Sequence, residues 1–150
     1  MRKIITYALF IVIVVGLGSL TGLLNPPGEW YQTLEKPFFN PPAAVFGPVW
    51  TLLYIMIGIA GARIWLASPS STAMKVWFGQ MILNFLWTPA FFSLQSPALA
   101  LAVILCMLVA IIAFIRLARP IDRVASLLFV PYLAWVAFAT LLNLSILVLN

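Results

Sequence analysis

Five long apolar runs divide the sequence, and short polar or proline-rich segments separate them. About 20 apolar residues of helix cross a hydrocarbon core about 30 Å thick, so each run is long enough to span a bilayer. The runs are apolar on every side, whereas strands of a membrane barrel alternate with polar lumen positions, and helices are therefore predicted. The pattern predicts an all-α integral membrane protein, a five-transmembrane-helix bundle in one domain over residues 1–150. The predicted spans are residues 4–24, 43–62, 76–94, 97–115 and 124–149.

The stretch Asn25–Tyr54 begins with the only long polar interruption between these runs. Its prolines remove backbone donors and fix φ, so the stretch cannot form one continuous helix. It also carries the aromatic residues Trp30, Tyr31, Phe38 and Phe39. Because these side chains are too apolar for a solvated linker, we predict a Pro/Trp-rich lid loop between the first and second spans. The alternative is an aromatic belt whose Trp and Tyr side chains lie at headgroup depth.

Composition excludes a soluble domain of this size, because 65% of the residues are hydrophobic, 7% are charged and the mean hydropathy is +1.15. With five spans, most of the basic residues fall on one side of the membrane, namely Arg2, Lys3, Arg63, Lys75, Arg116, Arg119 and Arg123. The opposite side holds Lys36 alone. The positive-inside rule therefore predicts a multi-pass protein of the cell membrane with a cytoplasmic N-terminus and the Trp30 loop outside. Basic residues spread over short flanking segments do not form a nucleic-acid patch, so no nucleic-acid partner is expected.

The first run follows two basic residues, as a signal peptide does, but we predict that it is a retained helix. Its apolar part is longer than the roughly 7–15 residues of a signal core, and no small-x-small cleavage site follows. It contains Gly18 and Gly22, a spacing that lets two helices approach closely in lipid.

Several chemistries are excluded by residue type. The chain has no histidine, which excludes haem held by a proximal imidazole and nucleophile–histidine pairs, and no metal site is expected. Cys106 is the only cysteine, so no internal disulfide forms. No predicted span contains an ionisable acid or base of the kind that ion-coupled pumps need.

Three predicted spans carry aromatic, amide and small side chains at helical spacing. These stripes are Gly47, Trp50, Thr51, Tyr54, Gly58 and Gly61; Gln80, Asn84, Trp87, Thr88 and Phe91; and Tyr132, Trp135, Ala139 and Asn143. A stripe of this composition favours a cavity for a flat apolar ligand over a uniform leucine core. The alternative is that the amides only join helices through hydrogen bonds. Pro48, Pro89 and Pro131 lie in the same spans and are expected to bend or break them around such a cavity.

The residues that carry these features form four ordered blocks along the chain. The blocks are Trp30-Tyr31-x-x-Leu34-x-Lys36-Pro37-x-x-Asn40-Pro41-Pro42, Phe46-x-Pro48-x-Trp50-x-x-Leu53-Tyr54, Gln80-x-x-x-Asn84-x-x-Trp87-Thr88-Pro89-x-Phe91-Phe92, and Pro131-Tyr132-x-x-Trp135 with Asn143 beyond it. In these blocks the chain resembles the tryptophan-rich sensory protein family, whose animal members are called translocator protein or peripheral benzodiazepine receptor. The resemblance covers nearly the whole chain.

The resemblance implies a five-helix bundle, usually a homodimer, with a ligand cavity open towards the first loop. It also implies a receptor or sensor that binds porphyrins, other tetrapyrroles and benzodiazepine-site ligands, with transport of the ligand as a further expectation. The short tail and the charge asymmetry resemble bacterial members. Because the chain ends SILVLN, without the cholesterol-recognition pattern of vertebrate members, cholesterol transport is not expected.

A porphyrin is an aromatic plate with carboxylates on one edge, so it needs stacking partners and a positive potential. We expect Trp50, Trp87 and Trp135 to line the plate and Lys36 to meet the carboxylate edge, with no cofactor required. The predicted ligand contacts are Tyr31, Lys36, Trp50, Tyr54, Asn84, Trp87, Trp135, Ala139 and Asn143.

Three function classes stay open at this stage. A binding, sensing or transport protein needs only the pocket, and a structural membrane protein does not need even that. An enzyme needs a reactive group, and the resemblance implies Trp30 and Trp135 as catalytic candidates for a light-dependent oxidative degradation of bound porphyrin.

Overall fold

The computed structural model describes residues 1–150 and consists of helices joined by short connections, with no strand. The helices are α1 Arg2–Leu24, α2 Glu29–Thr33, α3 Ala43–Ala67, α4 Thr72–Thr88, α5 Pro97–Ala118 and α6 Arg123–Leu149. A π-helical turn, Pro89–Ser93, continues α4. The all-α prediction is therefore confirmed.

Four helices, α1, α3, α5 and α6, are long and apolar enough to cross a membrane. Helix α4 has 17 residues, and the predicted third span, residues 76–94, covers most of α4 together with the π-helical turn. The apolar helices support a multi-pass membrane protein, and a count of five crossings stays a prediction.

The five long helices form a closed ring in the order α1, α3, α6, α5, α4, in which each helix packs against the next and α4 contacts α1. The main hydrophobic core runs through this ring and includes the buried residues Ile57, Trp77, Phe114, Phe129 and Tyr132. The fourth predicted span, α5, buries one face against α4 and α6, while Cys106 on its other face is exposed.

Close packing between α1 and α3 depends on two glycines. A Cβ atom on Gly58 would lie 2.9 Å from the Cα of Ile11, so the α3 backbone lies directly against the α1 backbone there. Gly18 leaves the space that the Tyr54 ring occupies, whereas nothing lies within 4 Å of a Cβ on Gly22. In the glycine pair of α1, Gly18 therefore accommodates a side chain of α3, and the close approach of the two backbones lies at Gly58 instead.

The three prolines inside the spans act differently. The sequence predicted that the prolines bend or break their helices. Helices α3 and α6 continue through Pro48 and Pro131, so neither helix is broken there. Pro89 marks the change from α-helix to the π-helical turn, which leads to Gln95 with a positive φ of 53° before α5 begins.

Charged residues join three helices at the end of the bundle where α1 begins. Asp122 accepts hydrogen bonds from the backbone N–H groups of Val124 and Ala125, which caps the first turn of α6. The same carboxylate pairs with Arg63 Nε at 2.8 Å, and Arg63 also donates to the Tyr7 hydroxyl at 3.4 Å. The start of α1, the end of α3 and the start of α6 therefore lie together.

Candidate functional site

The loop between α1 and α3, residues 25–42, is called the first loop from here on. Its short helix α2 places two aromatic side chains against the π-helical turn. Trp30 packs edge-on against Phe91 with ring centroids 5.7 Å apart, and Tyr31 packs against Phe92 at 5.4 Å. Phe91 is buried and stacks on Trp87 at 5.3 Å. These five residues form one aromatic cluster, which joins the loop to the interior of the bundle.

Two further contacts hold the first loop, one at its start and one near its middle. Asn25, directly after α1, hydrogen-bonds Ser93 at the end of the π-helical turn. The side chain of Asn150 accepts a hydrogen bond from the backbone N–H of Glu35 at 3.0 Å and donates to its carbonyl at 2.9 Å. We call this pair of hydrogen bonds the Asn150 clamp. The loop is therefore fastened both to the end of α4 and to the end of α6.

A chain of hydrogen bonds crosses the bundle below the aromatic cluster. The Tyr54 hydroxyl donates to Asn84 Oδ1 at 3.4 Å, Asn84 Nδ2 donates to the Tyr132 hydroxyl at 2.7 Å, and that hydroxyl donates to Gln80 Oε1 at 2.8 Å. Gln80, Asn84 and Tyr132 are buried. We call these four residues the polar chain, and it joins α3, α4 and α6.

Asn143 makes a second buried connection nearer the loop. Its Oδ1 accepts a hydrogen bond from Trp87 Nε1 at 2.9 Å, and its Nδ2 donates to the carbonyl of Pro97 at 2.9 Å. Both groups of Asn143 and both groups of Asn84 therefore have protein partners. The two amides join helices, as the alternative reading of the stripes predicted.

Two buried donors have no partner, Gln80 Nε2 and Trp135 Nε1. Because an unpaired donor in an apolar interior is costly, these atoms are the ones that gain most from a ligand or water acceptor. Gln80 lies at the end of the polar chain, and Trp135 lies on α6 one turn beyond Pro131. Gln80 lies on one of the predicted stripes but is not among the predicted ligand contacts.

Trp135 belongs to a second aromatic group, separate from the cluster that contains Trp30. Its ring packs against Phe46 and Phe138, each with a centroid separation of 5.7 Å. Phe39 of the first loop reaches the same group through Phe138 at 6.2 Å. The loop thus contacts both groups, but the two predicted catalytic indoles are not in direct ring contact with each other.

The remaining predicted contacts lie around the same interior. Trp50 is half-buried and packs on Tyr54 with ring centroids 5.5 Å apart, and Ala139 packs against the main core. A groove of about 510 Å³ opens between α3 and α6. It is lined by Val49, Leu52, Leu53, Met56, Pro131, Ala134 and Trp135. Lys36 lies apart from these residues, in a second groove at the edge of the first loop.

The sequence matches the TspO/MBR family over residues 9–149. The chain belongs to that family. It is 39% identical to the tryptophan-rich sensory protein of Cereibacter sphaeroides over 96% of this chain and 92% of that protein. It is 40% identical to the tryptophan-rich protein TspO of Chlorobaculum tepidum, with 99% and 98% covered.

The TspO/MBR relatives extend to animals. The chain is 34% identical to the human translocator protein over 85% of this chain and 80% of the human protein. The resemblance drawn from the four sequence blocks is confirmed, and with it a membrane protein of the sensory and translocator family.

Proposed function

We propose that this TspO/MBR protein binds porphyrins and other tetrapyrroles, and benzodiazepine-site ligands, inside a bundle of five membrane-crossing helices. The observation that carries the proposal is the convergence of aromatic and amide side chains from three helices beneath an aromatic loop. Tyr54, Asn84 and Tyr132 meet in the polar chain, and Trp87 joins that region to the loop through Phe91. Such walls suit a flat apolar plate with a few polar atoms.

The hydrogen-bond pattern determines how a ligand gains access. The amide oxygen and nitrogen of Asn84 and of Asn143 each have a protein partner, and each nitrogen keeps one further N–H. A ligand therefore replaces those bonds, uses that N–H, or uses the free donors of Gln80 and Trp135. The plate also has to displace Trp30 and its aromatic neighbours from the end of α4. We therefore propose that the first loop acts as a lid, that its opening precedes binding, and that release of the ligand for transport follows the same path.

The orientation we propose places the first loop outside the cytoplasm. The Arg63–Asp122 pair lies at the end of the bundle where the basic residues gather, and the first loop is fastened to the opposite ends of α4 and α6. A division of charge this strong favours a cytoplasmic location for the basic end.

The test is a titration of the purified protein with a dicarboxylic porphyrin in darkness, in which quenching of tryptophan fluorescence measures binding. Asn84→Leu and Trp87→Ala are expected to weaken binding by about 1–3 kcal/mol, the loss expected for a stacked or hydrogen-bonded contact. Trp65→Ala is the matched control, because Trp65 is 43% exposed near the other end of α3. Equal weakening by all three variants would contradict an interior site.

Illumination of the same complex tests the light-dependent reaction that the family resemblance implies. Trp135→Phe removes an indole N–H that has no hydrogen-bond partner, so the change leaves every observed hydrogen bond intact. Loss of a new absorbing product with unchanged dark affinity would identify Trp135 as a reacting group. Parallel loss of dark binding and photochemistry would identify it as a wall of the pocket.

We also propose that the protein forms a homodimer. The exposed face of α5 offers a way to test this. Cys106 is exposed on that face and is the only cysteine, so oxidative cross-linking in membranes reports contact between two copies. A covalent dimer that Cys106→Ser abolishes is expected. Absence of any cross-link would exclude the middle of α5 from the interface.

A further inference from the structure

The second groove, of about 520 Å³, lies between the first loop and the last turns of α6. Loop residues Lys36–Phe38 form one wall, and Leu144, Ser145, Val148 and Leu149 form the other. Leu144, Val148 and Leu149 of α6 are exposed, whereas Asn143 and Ile146 on the same helix are buried. The groove is therefore on the outer surface of the bundle and not beneath the loop.

The groove contains one cation without an anionic partner. Lys36 Nζ donates to the carbonyl of Leu34 at 3.3 Å and lies 4.4 Å from the centroid of the Tyr31 ring. Neither neighbour carries a negative charge, and the only ion pair in the structure, between Arg63 and Asp122, is at the other end of the bundle. The ammonium is half-buried, held in place, and available to an anion.

The rest of the groove is suited to hydrocarbon. Phe38 is 100% exposed and Val148 is 75% exposed, although both are apolar. With 27 residues, α6 is about 40 Å long, which matches a bilayer of about 40–45 Å including its headgroups. The Asn150 clamp holds Glu35, next to Lys36, at the end of this helix. Lys36 thus lies at headgroup depth, with the apolar wall of α6 extending from it towards the bilayer centre.

We propose that this groove binds one membrane phospholipid with an anionic headgroup. The phosphate contacts the Lys36 ammonium, the upper part of an acyl chain lies along Leu144 and Val148, and Phe38 inserts among the neighbouring chains. The unpaired cation and the apolar wall together favour an anionic amphiphile. A soluble anion would leave the wall uncovered, and in a zwitterionic lipid the headgroup cation would offset the attraction of the phosphate to Lys36. None of the groove's contacts is in the polar chain, but Lys36 and Phe38 lie on the first loop, whose opening we propose for tetrapyrrole binding.

The test is native mass spectrometry of the full-length protein, delipidated in detergent and titrated with phosphatidylglycerol or phosphatidylcholine of identical acyl chains. We expect one bound phosphatidylglycerol per chain, and we expect it to remain bound under conditions that remove phosphatidylcholine. Lys36→Gln should lower phosphatidylglycerol affinity about fivefold, the loss expected for one basic residue at an anionic membrane surface. Lys75→Gln is the matched control, since Lys75 is exposed near the start of α4, at the opposite end. Val148→Trp, which fills the groove while leaving the cation in place, should lower affinity for both lipids.

Two results would overturn the proposal. Equal losses for Lys36→Gln and Lys75→Gln would show general attraction to the membrane surface and no site. Release of the bound phosphatidylglycerol by a dicarboxylic porphyrin, but not by its dimethyl ester, would assign Lys36 to the porphyrin edge instead. Unchanged thermal unfolding of each variant is the check that the fold is intact.

Discussion

Tyr132→Phe tests whether the polar chain holds the bundle together. The Tyr132 ring is fully buried, and its hydroxyl is the central link of the chain, because it accepts from Asn84 at 2.7 Å and donates to Gln80 at 2.8 Å. Phenylalanine keeps the ring and its packing against Phe129 and removes only the oxygen. The change therefore leaves one donor on Asn84 and one acceptor on Gln80 without partners.

The expected cost follows from the number of bonds lost. Hydrogen bonds between membrane helices contribute about 0.6 kcal/mol each on average and about 1.7 kcal/mol at most, so two bonds give about 1–3 kcal/mol. The upper part of that range applies, because the Asn84 donor and the Gln80 acceptor stay buried without partners. A loss of about 2–3 kcal/mol lowers the melting temperature of a chain of this size by roughly 4–12 °C. Tyr54→Phe removes one bond of 3.4 Å from the same chain and should cost less than about 0.6 kcal/mol.

The assay is thermal unfolding in one detergent, monitored through the intrinsic fluorescence of the six tryptophans. Wild type, Tyr132→Phe and Tyr54→Phe are compared at equal protein and detergent concentrations. A melting temperature of Tyr132→Phe within about 2 °C of Tyr54→Phe would refute the reasoning. It would mean that the buried hydroxyl bonds are replaced by water or that they contribute nothing net.

Three further predictions address orientation, packing and the first loop. In a cysteine-free background, a cysteine at Gln32 should react with an impermeant maleimide in intact cells and one at Ser70 only after lysis; the reverse pattern would invert the proposed orientation. Gly58→Leu should abolish a monodisperse folded protein in size-exclusion chromatography, because the α1 backbone blocks any larger side chain there, whereas Gly22→Leu should be tolerated. Asn150→Ala should speed amide exchange in the first loop without changing exchange in α5, and equal protection in both proteins would show that the Asn150 clamp does not hold the loop.

The helices could be predicted from the sequence because hydrocarbon imposes a simple rule on them. Each of the five apolar runs falls within a helix or, for residues 76–94, largely within α4 and its π-helical turn. The short helix α2 was not predicted, since five residues carry no detectable periodicity. The π-helical turn was also missed, because Pro89 indicates a disturbed helix but not its form.

The membership of the candidate site was predictable in part, but its hydrogen bonds were not. Helical spacing placed Asn84 and Tyr132 on interior stripes, and the structure brings them together at 2.7 Å. The amides of Asn84 and Asn143 already have hydrogen-bond partners in other helices. Those partners depend on how each helix is rotated about its axis, and the local sequence does not determine that rotation. For the same reason the Arg63–Asp122 pair was missed, although both residues were visible as charges beside a span.

The Asn150 clamp has a practical consequence for how this protein is prepared. A purification tag joined after Asn150 begins beside the backbone of Glu35, where it competes for space with the first loop and with the groove at Lys36. A tag placed before Arg2 emerges at the opposite end of the bundle, next to the Arg63 ion pair and far from both candidate sites. Affinity measurements on C-terminally tagged protein should therefore be repeated with the tag removed or moved to the other end.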